Sequence, residues 1–244
     1  MIRLLIGLAL LPTSALTLWS SARARGAVAA RASSAAPFTA GFALPPLLWV
    51  LRSCGAFGEG EFSRRGAALS RLAYVFGHEL THAAAAWGFG ARVTGLKVAE
   101  DGGHVDLSRT NAVIALAPYC APVYTMLVVL GYRLLLWLKP GAGGRAVFLA
   151  LMGATLSFHL LKTSESIWNA RQPDLAAAGG LVFSLAWIVL CNGLVLLLLL
   201  KGLFPAAVPL SGCLREAASG SLAFWAWAWA AAGALWTLRR PARQ

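Results

Sequence analysis

His78 and His82 stand four residues apart with Glu79 between them, in the run His78-Glu79-Leu80-Thr81-His82. On a helix, positions i and i+4 share a face, so both imidazoles can reach one metal ion. Glu79 then falls beside the ion rather than on it, where a carboxylate can take a proton from water. The chemistry implied is metal-assisted hydrolysis. All three ionisable groups lie within a hydrophobic stretch, about 66–89, long enough to cross a membrane. Such groups are costly there and mark function.

Two imidazoles do not complete a catalytic zinc site, which takes three protein ligands and keeps one position open. Asp174 follows Pro173 at a helix start, a place that suits proline and, through the helix dipole, a carboxylate. His159 lies in an apolar run, where a histidine serves equally well as a hydrogen-bonded core residue. Glu165 lies in a polar connector and suits either a ligand or a hydrogen-bond partner of one. His104 belongs more naturally to the substrate side. Zinc is the expected ion for two imidazoles and a carboxylate.

The elements that must position these residues are membrane helices. Of 244 residues, 59% are hydrophobic and 12% charged, and the mean hydropathy is +0.69. A soluble domain carries roughly twice that charged fraction. Seven hydrophobic segments stand out, at about 2–19, 35–51, 66–89, 111–138, 146–161, 175–200 and 221–238. The fold expected is an all-α polytopic membrane protein with six to seven such segments. The first reads as a signal peptide or a retained anchor. Arg23 and Arg25 crowd the cleavage-like Ala22-Arg23-Ala24 and favour retention. Pro45-Pro46 should kink or break the second segment. The fourth is long enough to span with tilt, with Pro118 and Pro122 near its start. Trp225, Trp227, Trp229 and Trp236 suit interface anchors or helix packing.

Between the third and fourth segments the pattern changes. Residues 91–98 alternate as a strand does, 100–103 form a turn, and 104–107 form a second short strand. A β-hairpin or re-entrant loop is therefore expected directly after the histidine helix. Its open edge at Val93–Val98 would suit backbone pairing to an extended peptide, with Val93, Gly102, Gly103 and His104 as candidate substrate-binding residues. The net charge of +12 does not indicate nucleic acid. Arg23, Arg25, Arg31, Arg64, Arg65, Arg239, Arg240 and Arg243 sit in loops and the tail, where they meet anionic lipid headgroups. Their balance favours a cytoplasmic C-terminus. The four cysteines, Cys54, Cys120, Cys191 and Cys213, are scattered and form no thiolate metal motif.

The run Gly77-His78-Glu79-Leu80-Thr81-His82-Ala83 resembles the active-site helix of the site-2 protease family of intramembrane zinc metalloproteases, in particular its small bacterial members. The resemblance extends to Gly90-Ala91-Arg92-Val93, to Asp101-Gly102-Gly103 and to Gln172-Pro173-Asp174-Leu175, and covers about 66–200. It implies Asp174 as third zinc ligand and Glu79 as the catalytic base. It also implies a membrane-protein substrate, most simply a single-span one, and a bacterial inner-membrane location. Many members carry Asp-Gly in an Asn-Pro context where this chain has Asp174-Leu175. No PDZ-like or CBS-like stretch is visible, so the usual gating of substrate entry would be absent or supplied by a regulatory membrane partner. The domain reading is an N-terminal anchor or signal segment with basic linker at 1–34, a metalloprotease core at 35–200, and a last span with basic tail at 201–244. Two rival readings are a membrane-anchored zincin acting on soluble or misfolded proteins, with Glu165 as ligand, and a non-catalytic metal-binding membrane protein.

Overall fold

Apolar runs become helices throughout. The computed structural model describes residues 1–31, 33–58, 60–100, 102–169 and 172–238. Asp101 and the basic tail residues Arg239, Arg240 and Arg243 lie outside them. The order is α1 (Ile2–Arg31), a 3-10 turn (Ser33–Ala35), α2 (Ala36–Ser53), α3 (Glu61–Gly88), β1 (Val93–Ala99), β2 (Gly102–Leu107), α4 (Ala112–Cys120), α5 (Val123–Leu138), α6 (Arg145–Asn169), α7 (Pro173–Ala178), α8 (Leu181–Leu203) and α9 (Leu210–Leu238). The all-α character and the short hairpin are as expected.

The number of spans is not. Among the described residues, three helices are long and apolar enough to cross a membrane: Ile2–Ala30, Arg145–Trp168 and Leu181–Leu203. A fourth arises only if α4 and α5, bent by 69°, count as one span. The expected six to seven segments are therefore too many. Charge and composition give the reason. α3 carries Glu61, Arg64, Arg65, Arg71 and Glu79 along its length, α2 contains two prolines and Arg52, and α9 is built on alanine and tryptophan rather than leucine and valine.

Two local expectations also change. Pro45 and Pro46 do not break α2, which is continuous across both. It packs closely on α6. A Cβ on Gly41 would sit 2.0 Å from the Ala150 carbonyl oxygen, and one on Gly153 would sit 2.1 Å from that of Phe38. Glycine at both positions lets the two backbones touch, as in tightly packed membrane helices. The fourth segment does not tilt as one rod. Ala121 is extended (φ −104°, ψ 111°), the conformation forced on a residue before proline, and Pro122 starts the new helix direction. The sixth segment likewise splits into α7 and α8 at Gly179-Gly180, both at positive φ.

The chain separates into two compact units, residues 1–31 with 185–244, and residues 32–184. In the first, Ser14 Oγ on α1 donates to the Ala186 carbonyl on α8 (2.8 Å), and the Thr13 and Ser221 hydroxyls meet at 2.7 Å. Trp225 is no free anchor, for its Nε1 donates to the Ala9 carbonyl at 3.3 Å. Trp227, Trp229 and Trp236 remain exposed.

The second unit holds the histidine helix. α3 ends in a glycine C-cap. Gly90 takes φ +67°, Gly90 N–H donates to the Trp87 carbonyl, and Ala91 N–H reaches back to that of Ala86. This left-handed cap turns the chain back over its own helix. The returning segment is the antiparallel hairpin, paired Lys97 with His104 and Val98 with Gly103. Buried Ala86, Ala91 and Ile114 pack beneath it with Val93 and Leu107.

Candidate metal centre

α3 carries His78 and His82 on one face, with ring centroids 4.9 Å apart. Helical spacing alone brings them together. The third donor comes from α7. Pro173 begins that short helix and Asp174 lies in its first turn, so a rigid start aims the carboxylate. Asp174 Oδ2 lies 3.4 Å from His78 Nε2 and 3.5 Å from His82 Nε2. The three donor atoms all lie within 4.8 Å of one another.

Those distances suit a shared cation. Two donors each about 2.0–2.1 Å from a tetrahedral centre stand about 3.4 Å apart. The hydrogen bonding agrees. His82 Nδ1 lies 2.9 Å from the Ile114 carbonyl oxygen. A carbonyl only accepts, so Nδ1 carries a proton, and in the neutral ring Nε2 is the atom left to bind a metal. Burial works to raise the Asp174 pKa. The contacts with His78 and His82 override it and hold this carboxyl well below the usual carboxylate range.

The open side of the triad is a cavity of about 710 Å³. Glu79 lines it and is 7% exposed. β2 forms part of its wall through Gly102, Gly103 and His104. Gly103 is required for that approach. A Cβ there would sit 2.7 Å from Val75 Cγ1 and 2.8 Å from both Glu79 Cγ and the Lys97 carbonyl oxygen. On the far side of α3, Gly77 leaves room for the Tyr124 ring, whose hydroxyl donates to the Ala73 carbonyl.

The structure thus brings together His78, Glu79, His82, Asp174, Gly102, Gly103 and His104. Three named candidates stay apart. Val93 packs with the small apolar cluster under the hairpin, because it pairs with Leu107 at the end of β1 far from Gly103. The strand beside the cavity is β2. His159 on α6 neither lines the cavity nor joins the donor group. Glu165 is engaged by Lys162 (Nζ to Oε2, 2.7 Å) and lines a second, smaller cavity of about 250 Å³ with Arg71 and Glu100.

Several residues escaped the sequence reading. Tyr119 Oη donates to Asp174 Oδ2 at 3.0 Å and stands 3.2 Å from Gln172 Oε1. Tyr74 Oη is 3.4 Å from His78 Nδ1. Hydroxyl-bearing tyrosines within apolar runs were the only signal for either.

No family model matches the chain, and neither does any curated protein or solved structure. The chemistry therefore rests on the side chains. Three donors converge on one point, an acid stands beside them, and an open cavity lies in front.

Proposed function

We propose that this chain is an intramembrane zinc metalloprotease that hydrolyses a peptide bond in or near the transmembrane segment of a membrane-protein substrate. The observation that carries it is the placing of His78 Nε2 and His82 Nε2 at 3.4 and 3.5 Å from one Asp174 oxygen, with Glu79 lining the same cavity. The likeness of residues 77–83 to the site-2 protease helix points the same way, and with it go a bacterial inner-membrane location and a single-span substrate.

His78, His82 and Asp174 would hold the ion. Zinc bound there would supply Lewis acidity and lower the pKa of water towards neutrality, about 7 in favourable sites. Glu79, beside the donors and not among them, accepts the proton of the attacking water and returns it to the leaving amine. Asp174 keeps its charge through this cycle. His104 also lines the cavity and is available to the peptide around the scissile bond, whereas the Arg109 guanidinium donates to the Phe89 carbonyl.

A helical substrate must unwind before its carbonyl can be attacked, because the backbone bonds of a helix shield it. Backbone groups on the outer edge of β2 offset that loss by strand addition. β2 has no second neighbour among the described residues. The rival in which Glu165 completes the site is disfavoured by the Lys162 pairing described above.

The test is cleavage of a model single-span substrate by purified protein. Glu79→Gln should retain zinc and lose at least about 100-fold in rate, the contribution typical of general acid–base catalysis. Undiminished cleavage by that variant would remove proteolysis by this route.

A further inference from the structure

We propose that Tyr119 is a positioning residue that fixes Asp174 as the third donor, and that α4 is the single element aligning all three donors. The inference rests on the metal-site reading above and deepens it.

Asp174 needs an external support. Its helix, α7, has six residues, far too few to be stable alone. The helix start has no side-chain cap, and its end runs into two glycines at positive φ. Ser184 Oγ donating to the Leu175 carbonyl (3.1 Å) ties down the backbone, but it does not orient the carboxylate. Tyr119 does. It is fully buried, and its phenol proton is directed at the same Oδ2 that faces both imidazoles. Gln172 Oε1 is the competing acceptor at 3.2 Å. Gln172 Nε2 is already directed at the Ser166 carbonyl, which sets the amide orientation. Between a neutral amide and a carboxylate, the charged acceptor takes the stronger bond.

The same helix serves the other two donors. Its Ile114 carbonyl accepts from His82 Nδ1 at 2.9 Å. The Tyr119 ring stands edge-on to the His78 ring, with centroids 5.1 Å apart. α4 is anchored in turn by Asn111, whose side chain accepts from the Val113 and Ile114 amides. One short helix thus contacts every donor. Partners of this kind set the orientation of metal ligands, and their loss costs about 10- to 100-fold in affinity.

Zinc affinity of the full-length protein in detergent, with the visible spectrum of the cobalt-substituted form, tests this. Tyr119→Phe keeps the ring and deletes the proton. It should weaken zinc about 10- to 100-fold and shift the cobalt bands. In an Asp174→Ala background the same change should add nothing, since the group it positions is gone. A role confined to packing would instead lower affinity equally in both backgrounds, and that result overturns the proposal. So does an unchanged affinity in Tyr119→Phe when wild type binds zinc stoichiometrically. Failure of wild type to bind zinc would overturn the metal reading itself. Should Tyr119→Phe fail to fold, fluorotyrosine at position 119 keeps the ring and strengthens the donor, and an unmoved cobalt spectrum then counts against the role.

Discussion

At the scale of single residues, the donor set separates histidines of similar sequence setting. His82→Ala should abolish stoichiometric zinc, read by metal analysis of purified protein. His159→Ala should leave it near one per chain, because that residue lies outside the donor group and the cavity lining. Acidification should act through the imidazoles. Asp174 has its pKa depressed, so its contribution to the folded state is intact above about pH 4 and is lost only as pH falls through the lowered value. A protonated ring cannot bind metal, so zinc retention should fall on acidification while the protein stays folded. Retention down to pH 4 would contradict the histidine ligation. The pair His78 and His82 was legible from spacing alone, since helical periodicity needs no tertiary information. Asp174 was one option among several, because a ligand from another element is joined by folding and not by sequence proximity.

At the scale of elements, the hairpin on α3 is the most exposed to disruption. Gly103→Ala places a methyl into Val75, Glu79 and the Lys97 carbonyl at once, and backbone cannot yield as a flexible side chain would. The expected cost is about 1–3 kcal/mol of stability, with loss of cleavage exceeding loss of zinc, as measured by thermal unfolding and metal content. Gly41→Ala should separate α2 from α6 and lower thermal stability with the metal site unchanged, because the atoms nearest a Cβ there belong to Ala150. The hairpin was legible because alternation, glycines and a polar turn agree locally. The continuous α2 was not. Two adjacent prolines argue for a break, yet the helix is continuous and lies against α6. α4 and α5 show the reverse, for there the residue before Pro122 obeys its local restriction and the rod bends.

At the scale of the whole molecule, the hydrophobic segments overstated how many helices are long and apolar enough to cross a membrane. Segments of similar apolar content differ in what they carry. α8 is leucine and valine, whereas α3 bears ionisable groups along its whole length. A window of hydropathy alone does not weigh that difference. Thiol labelling gives a test across both compact units. Cys54 is exposed and Cys213 buried, so a maleimide should modify Cys54 in the native protein and reach Cys213 only after denaturation. Early labelling of Cys213 would contradict the packing of α9.

The order of the donors along the chain has a consequence for biosynthesis. His78 and His82 leave the ribosome long before Asp174, which follows only after α4, α5 and α6 have been made. A nascent chain halted anywhere before α7 would hold two imidazoles and no third donor. Under the proposed function, hydrolytic competence would thus arrive late in translation, sparing neighbouring nascent proteins until synthesis reaches α7.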